Sequence, residues 1–177
     1  MRKKVLTGLT LAAILTSIDA SAGDNTSGES SSKHLFQAGT GFGQLSNDYY
    51  DSSYSLSASY TYEYGKLQYS FGGIRQGSMT TSNDIEAEVD ALYFSVGKEF
   101  KTKPLNYALR LGANYNESEV FYQKHKLGSD SDIGMIAIAE VIKPFGPVFA
   151  LVGNIKYLNQ ISGESLGIVS IDARLAF

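Results

Sequence analysis

From about residue 34 onward, hydrophobic and polar positions alternate with a period of two. The clearest stretch is Ser53 to Tyr64. Tyr54, Leu56, Ala58, Tyr60, Tyr62 and Tyr64 share one face, while Ser53, Ser55, Ser57, Ser59, Thr61 and Glu63 share the other. Successive side chains of a strand point to opposite faces, so this period predicts strand. Lys66 to Gln76 continues it, with Leu67, Tyr69 and Phe71 against Gln68, Ser70 and Gly72. The Gly65-Lys66 pair between them suits a type II′ turn, which wants glycine first. That register sets Tyr62 opposite Tyr69 and Tyr60 opposite Phe71, so the apolar faces match.

The same alternation predicts six further strands. Leu35 to Leu45 sets Gln37, Gly39, Gly41 and Gly43 against Phe36, Ala38 and Phe42. Leu92, Phe94, Val96 and Phe100 mark another strand. Leu105 to Tyr115 opposes leucine and tyrosine to Asn106, Arg110 and Asn114. Phe149 to Tyr157 opposes Leu151 and Ile155 to Asn154 and Lys156. Ile133 to Ile142 is apolar on both faces, and Glu140 alone suggests that its even positions point inward. In the last strand Val169, Ile171, Ala173, Leu175 and Phe177 alternate with Ser170, Asp172, Arg174 and Ala176.

Connections alternate in length. Gly65-Lys66, 101–104 and 144–146 are short; 46–52, 79–91, 117–131 and 158–165 are expected as longer loops. Short periplasmic turns alternating with longer extracellular loops are a property of outer-membrane barrels. The predicted fold is therefore all-β: an eight-stranded antiparallel up-and-down transmembrane β-barrel over 34–177, with both termini periplasmic. A soluble β-sandwich would show the same alternation, but two features decide against it. Aromatics gather at the strand ends, Tyr62, Tyr64, Phe100, Tyr107 and Phe177 at one rim and Tyr54, Tyr115 and Tyr157 at the other. The chain also ends on Phe177, and Val169, Ile171, Ala173, Leu175 and Phe177 form the expected signal for the barrel-assembly machinery.

The segment before the barrel has a different character. Met1-Arg2-Lys3-Lys4 is positive, Val5 to Ile18 is apolar, and Ala20-Ser21-Ala22 offers a small-x-small cleavage site. The apolar stretch is too short for a membrane helix, so residues 1–22 read as a cleaved signal peptide. Residues 23–33, rich in Ser, Gly and Asp, are expected to form a disordered lead-in. No later segment holds 18 consecutive apolar residues, which excludes a helical membrane protein. Cysteine is absent, so neither disulfides nor thiolate metal sites are available. Beyond residue 22 the chain carries 12 basic against 17 acidic residues, and nothing favours nucleic acid.

On this architecture and its Phe177 terminus, the chain resembles the eight-stranded outer-membrane barrels of the OmpX/Ail and OmpA transmembrane-domain type. The resemblance implies surface roles such as adhesion, serum resistance and membrane integrity, and it carries over no binding residue.

The candidate chemistry is sparse. Some barrels of this size are lipid A-modifying enzymes, which need a nucleophile beside a base. His34 begins the first strand and His125 lies in Gln123-Lys124-His125-Lys126; the His-x-Ser pairing of PagL-type deacylases is missing, since position 127 is Leu. No catalytic residue and no cofactor are expected. The inward face supplies Glu63, Arg110, Glu140, Lys156, Asp172 and Arg174, charges of both signs that should pair and fill the lumen. A hairpin centred near Lys124 sets Arg110 beside Ile138 and diagonal to Glu140. Asp84, Glu86, Glu88 and Asp90 recur at every second position, a candidate cation site, since hard cations take oxygen ligands. The function expected is that of a monomeric, non-enzymatic surface protein whose acidic loops contact lipopolysaccharide or a host or matrix ligand. The alternatives are a lipid A-modifying enzyme and a narrow ion channel.

Overall fold

The computed structural model describes residues 33–47, 49–161 and 163–177. Eight strands among them close a barrel in chain order: β1 (Lys33–Leu45), β2 (Ser53–Tyr64), β3 (Leu67–Thr80), β4 (Ile85–Phe100), β5 (Asn106–Tyr122), β6 (His125–Pro144), β7 (Phe149–Ile161) and β8 (Glu164–Ala176). All pairings are antiparallel, and β1 pairs with β8 to close the wall. The expected signal peptide, residues 23–32 of the lead-in, and Asp48 lie outside the described residues; Lys33 opens β1.

The alternation places the faces as it predicts. Gln37, Ser55, Ser59, Gln68, Ser70, Arg110 and Asn114 are buried inside, and Phe42, Tyr54, Leu56, Phe71, Phe94, Leu111 and Ile171 are exposed outside. The register sets Tyr62 opposite Tyr69 and Tyr60 opposite Phe71, with Gly65 taking the positive φ of 62° that its turn needs. On β6 the even positions Ile136, Ile138, Glu140 and Ile142 point inward.

The long connections are a correction. Most of 79–91 and nearly all of 117–131 are strand: β4 begins at Ile85, and β5 and β6 run on to a two-residue turn at Gln123-Lys124. Both turn residues have positive φ, 48° and 66°, the backbone that a tight type I′ hairpin requires. At the last connection β7 continues to Ile161 and β8 begins at Glu164. The 117–131 stretch lacks an apolar face because it stands mostly in water, whereas Ala87, Val89, Leu158 and Ile161 keep an apolar inward face buried in the barrel. Backbone groups of 117–122 and 125–131 still pair, so the strands persist there although the alternation of hydrophobicity stops.

We call the end holding Lys33 and Phe177 the lower rim, and the opposite end the upper. The interior is layered along this axis. Its lower and middle part is mainly polar, built on Gln37, Gln68, Arg110, Glu140, Asp172 and Arg174, with a small apolar cluster of Ala108, Ile142, Ala150 and Val152 on the β5–β7 side. Its upper part is an apolar cluster that includes Ile74, Met79, Val89, Ile136, Leu158 and Leu166. Of the apolar inward positions of β6, Ile136 and Ile138 belong to this upper layer and Ile142 to the small lower cluster, which explains why Ile133 to Ile142 looks apolar on both faces.

Candidate functional site

Two regions of the barrel hold polar chemistry: the lumen, and the sheet that rises above the upper rim. Strand parity brings residues from all eight strands into one lumenal network. Lys101 at the lower rim lies 3.2 Å from Glu63, whose other oxygen accepts from Gln68 at 3.3 Å. Gln68 in turn accepts from Arg110 at 2.7 Å. Arg110 and Arg174 clamp Glu140 from two sides, at 2.7 and 2.5 Å. Arg174 also pairs with Glu99 at 3.2 Å and donates to Gln37 at 2.9 Å. Gln37 donates to Asp172 at 2.8 Å, and Asp172 stands 3.5 Å from the Lys156 ammonium. Lys156 completes its shell on Ser57 and Ser170, both at 3.1 Å.

All six lumenal residues singled out from the sequence thus fall in this one chain of contacts. Glu99, Gln37 and Gln68 also belong to it and were not singled out. Parity could have found Glu99, because Phe100 faces outward and its neighbour must face in. The two glutamines carry no charge to mark them, yet they join the ion pairs into one network. Arg110, Lys156 and Arg174 are met by Glu99, Glu140 and Asp172, so each buried charge has an opposite partner, the condition under which burial is tolerated. With Lys156, Arg110 and Glu140 almost fully buried, the polar layer is occupied by side chains, and the apolar layer lies above it.

The upper region is a sheet of β3, β4, β5 and β6 that outruns the rest of the wall. β6 pairs with β7 only over Ile136–Pro144, so 125–135 rise beyond it. Asn159 borders the start of this overhang, accepting from the Met135 amide at 2.5 Å. On the outward face Glu88 lies directly opposite Glu119, and Asp90 opposite Glu117. Like charges in that position repel. Cations of the chain itself stand beside them: the Arg75 guanidinium is 3.9 Å from both Glu88 and Asp90, and Lys126 is 2.5 Å from Glu119.

The expected carboxylate stripe does not converge. Glu86, Glu88 and Asp90 share the outward face of β4, whereas Asp84 sits in the preceding turn with a φ of 58°. Among the described residues, no three His, Asp or Glu side chains are grouped so as to hold a metal ion. The histidines lie apart. The His34 ring hydrogen-bonds the Tyr60 hydroxyl and packs at a tilt against Tyr62; His125 is exposed at the tip of the β5–β6 hairpin, opposite Tyr122. At the lower rim Phe177 donates its amide to the His34 carbonyl at 2.9 Å, extending the seam between β8 and β1. Val169, Ile171, Leu175 and the Phe177 ring face outward.

A closed eight-stranded wall with an apolar outside and a charged inside has close counterparts among solved structures. The barrel overlays on Ail, the attachment invasion locus protein of Yersinia pestis, solved with the heparin analogue sucrose octasulfate, with a TM-score of 0.62 at 14% identity, covering 82% of this chain and 99% of that one. The fold is that of the small outer-membrane barrels. Neisserial surface protein A matches with a TM-score of 0.65 at 16% identity over 82% of this chain and 97% of that one. The N-terminal barrel domain of Pseudomonas aeruginosa OprF matches at 0.63 and 9%, with the same two coverages. No family profile matches the chain, and neither does any curated protein.

Proposed function

We propose that this chain is a non-enzymatic protein of the bacterial outer membrane, with both termini periplasmic, that meets its partners at the cell surface through the projecting β3–β6 sheet. The projection carries this reading. Between Glu117 and Ser131 the chain builds a ribbon with polar residues on both faces, and no strand among the described residues covers the β6 side of it. A strand edge left open to solvent is a template for pairing with another chain, and proteins ordinarily blunt it. Here the edge stands above the wall, where an external partner could reach it.

Membrane residence is supported by the inverted distribution of residues. An outward band of Leu, Ile, Val and Phe flanked by tyrosine and phenylalanine is what a barrel needs in lipid. A self-paired polar layer beneath an apolar layer favours a filled lumen over a channel. Lys124 and Lys126 gather positive charge at the tip, while Glu86, Glu88, Asp90, Glu117 and Glu119 make the outer face below it acidic. Since Ail binds a sulfated glycan analogue, a polyanion belongs among the ligands to test at this tip, beside lipopolysaccharide and matrix proteins. Val169, Ile171, Ala173, Leu175 and Phe177 would serve the barrel-assembly machinery.

The test is to replace 117–131 by a short Asn-Gly turn, leaving the wall intact, and to compare cells displaying either form. Binding to a panel of matrix proteins, heparin and lipopolysaccharide should fall to background for at least one ligand bound by the intact protein. Equal binding by both forms across the panel would remove the surface-contact reading.

A further inference from the structure

A groove enclosing about 520 Å³ crosses the outward wall from β4 to β8. Two register rows build it. Phe100, Tyr107, Val141, Gly153 and Ile171 lie directly opposite one another in succession. The adjacent row runs Leu109, Ala139, Ile155 and Val169, and on β4 it begins at Lys98. Register rows cross the strands at right angles, and barrel strands tilt by about 35–45°. The rows therefore climb diagonally, from Phe100 near the lower rim to Val169 well up β8.

The depression has a local cause: each row is small at its middle, with Gly153 in one and Ala139 in the other. A Cβ placed on Gly153 would meet nothing within 4 Å, so no side chain of the barrel itself fills this space. At the lower mouth the chemistry changes. Lys98 is exposed on the outward face with its ammonium 5.2 Å from the centre of the Phe100 ring. Lys143, also exposed, follows Val141 two positions further down the same face of β6. A lysine in a lipid-facing row is tolerated at the interface and costly at mid-bilayer, and its stem lets the ammonium reach the headgroup level.

We infer that this groove holds one acyl chain of a phospholipid from the periplasmic leaflet, its phosphate drawn to Lys98 and Lys143. The charge commits the occupant. The trench is apolar above and cationic only at its mouth, which matches a lipid with an anionic phosphate at the leaflet surface. A second barrel packed on the same groove by two-fold symmetry would bring its own Lys98 and Lys143 to the same level, adding like charges. The inference rests on the membrane-spanning reading given above.

The experiment begins by inserting the purified protein into phosphatidylcholine vesicles and confirming protease protection of the wall. The protein is then taken into detergent, titrated with palmitoyl-oleoyl phosphatidylglycerol, and weighed by native mass spectrometry. One lipid should be retained per barrel. Gly153→Leu, whose side chain enters open space, should lower retention about tenfold, equivalent to about 1.4 kcal/mol. Lys98→Gln should lower retention of phosphatidylglycerol but not of diacylglycerol, which lacks the phosphate. Equal retention by the wild type and Gly153→Leu would overturn the groove alone. So would a wild-type dimer that Gly153→Leu abolishes, since the occupant would then be a second copy. Failure to insert would overturn the membrane reading, and the groove with it.

Discussion

Arg110 on β5 and Glu140 on β6 meet inside the barrel at 2.7 Å, with both side chains almost wholly removed from solvent. They are not directly opposite: Arg110 faces Ile138 and Glu140 faces Ala108, so the pair bridges diagonally across the ladder. Glu140 also takes the Arg174 guanidinium, which makes it the point where three strands are joined electrostatically. Removing the carboxylate would leave two buried cations short of a partner.

Glu140→Ala should therefore destabilise the barrel by about 3–5 kcal/mol, the usual cost of breaking a buried pair from one side. Urea unfolding from lipid vesicles, followed by tyrosine fluorescence, would measure it. Glu63→Ala, whose partner Lys101 is largely exposed at the rim, should cost no more than about 1 kcal/mol.

The packing of Tyr93 over Gly72 gives a second expectation. The two are directly opposite in register, and a Cβ on Gly72 would fall 2.6 Å from the Tyr93 ring and hydroxyl. Gly72→Val should force that buried ring aside and cost about 1–3 kcal/mol, the range for overpacking. The near-ultraviolet circular dichroism of the folded barrel should weaken with it. Gly153→Ala, which enters empty space, should leave both stability and spectrum unchanged.

Most of the wall was legible in the sequence, because a membrane barrel imposes apolar-out and polar-in on every strand. Arg110, Asn114 and Lys156 could be assigned to the lumen from their neighbours alone. The β5–β6 part of the projecting sheet was not legible. Glu117 to Ser131 stands mostly in water and carries no apolar face, so its hydrophobicity has no period and only the backbone pairing marks it as strand. The upper apolar layer was hidden for the opposite reason: Ile136 and Ile138 face inward yet look lipid-facing by composition. The joining role of Gln37 and Gln68 depends on geometry between distant strands, which no local pattern reports.

The tip of the β5–β6 hairpin provides a third test. Gln123 and Lys124 both hold positive φ, a conformation that costs side-chain-bearing residues roughly 1–2 kcal/mol each. Replacing the pair with Asn-Gly should relieve part of this cost. Amides of 117–122 and 125–131 should then exchange with deuterium about tenfold more slowly, while those of β1 and β2 stay as they are. No change in the ribbon would mean that its opening is not limited by the turn.

Closure of the seam bears on assembly. Phe177 extends the β1–β8 pairing through its backbone bonds with His34, and its ring is exposed at the lower rim. Deleting Phe177 should slow insertion and leave degraded or periplasmic chains. Delivery to the outer membrane at wild-type rate and yield would show that the assembly machinery does not depend on this residue.

The central claim is that the wall lies in lipid while the β3–β6 sheet stands outside the cell. The chain contains no cysteine, so any single cysteine introduced into it is unique. The direct measurement is labelling of Ser129→Cys, Leu111→Cys and Lys103→Cys in intact cells with a membrane-impermeant maleimide. Ser129→Cys on the ribbon should label fully. Leu111→Cys on the apolar wall and Lys103→Cys at the lower rim should remain unlabelled, and Lys103→Cys should react once the outer membrane is permeabilised. Labelling of Leu111→Cys in intact cells, or protection of Ser129→Cys, would contradict the placement of this barrel in the membrane.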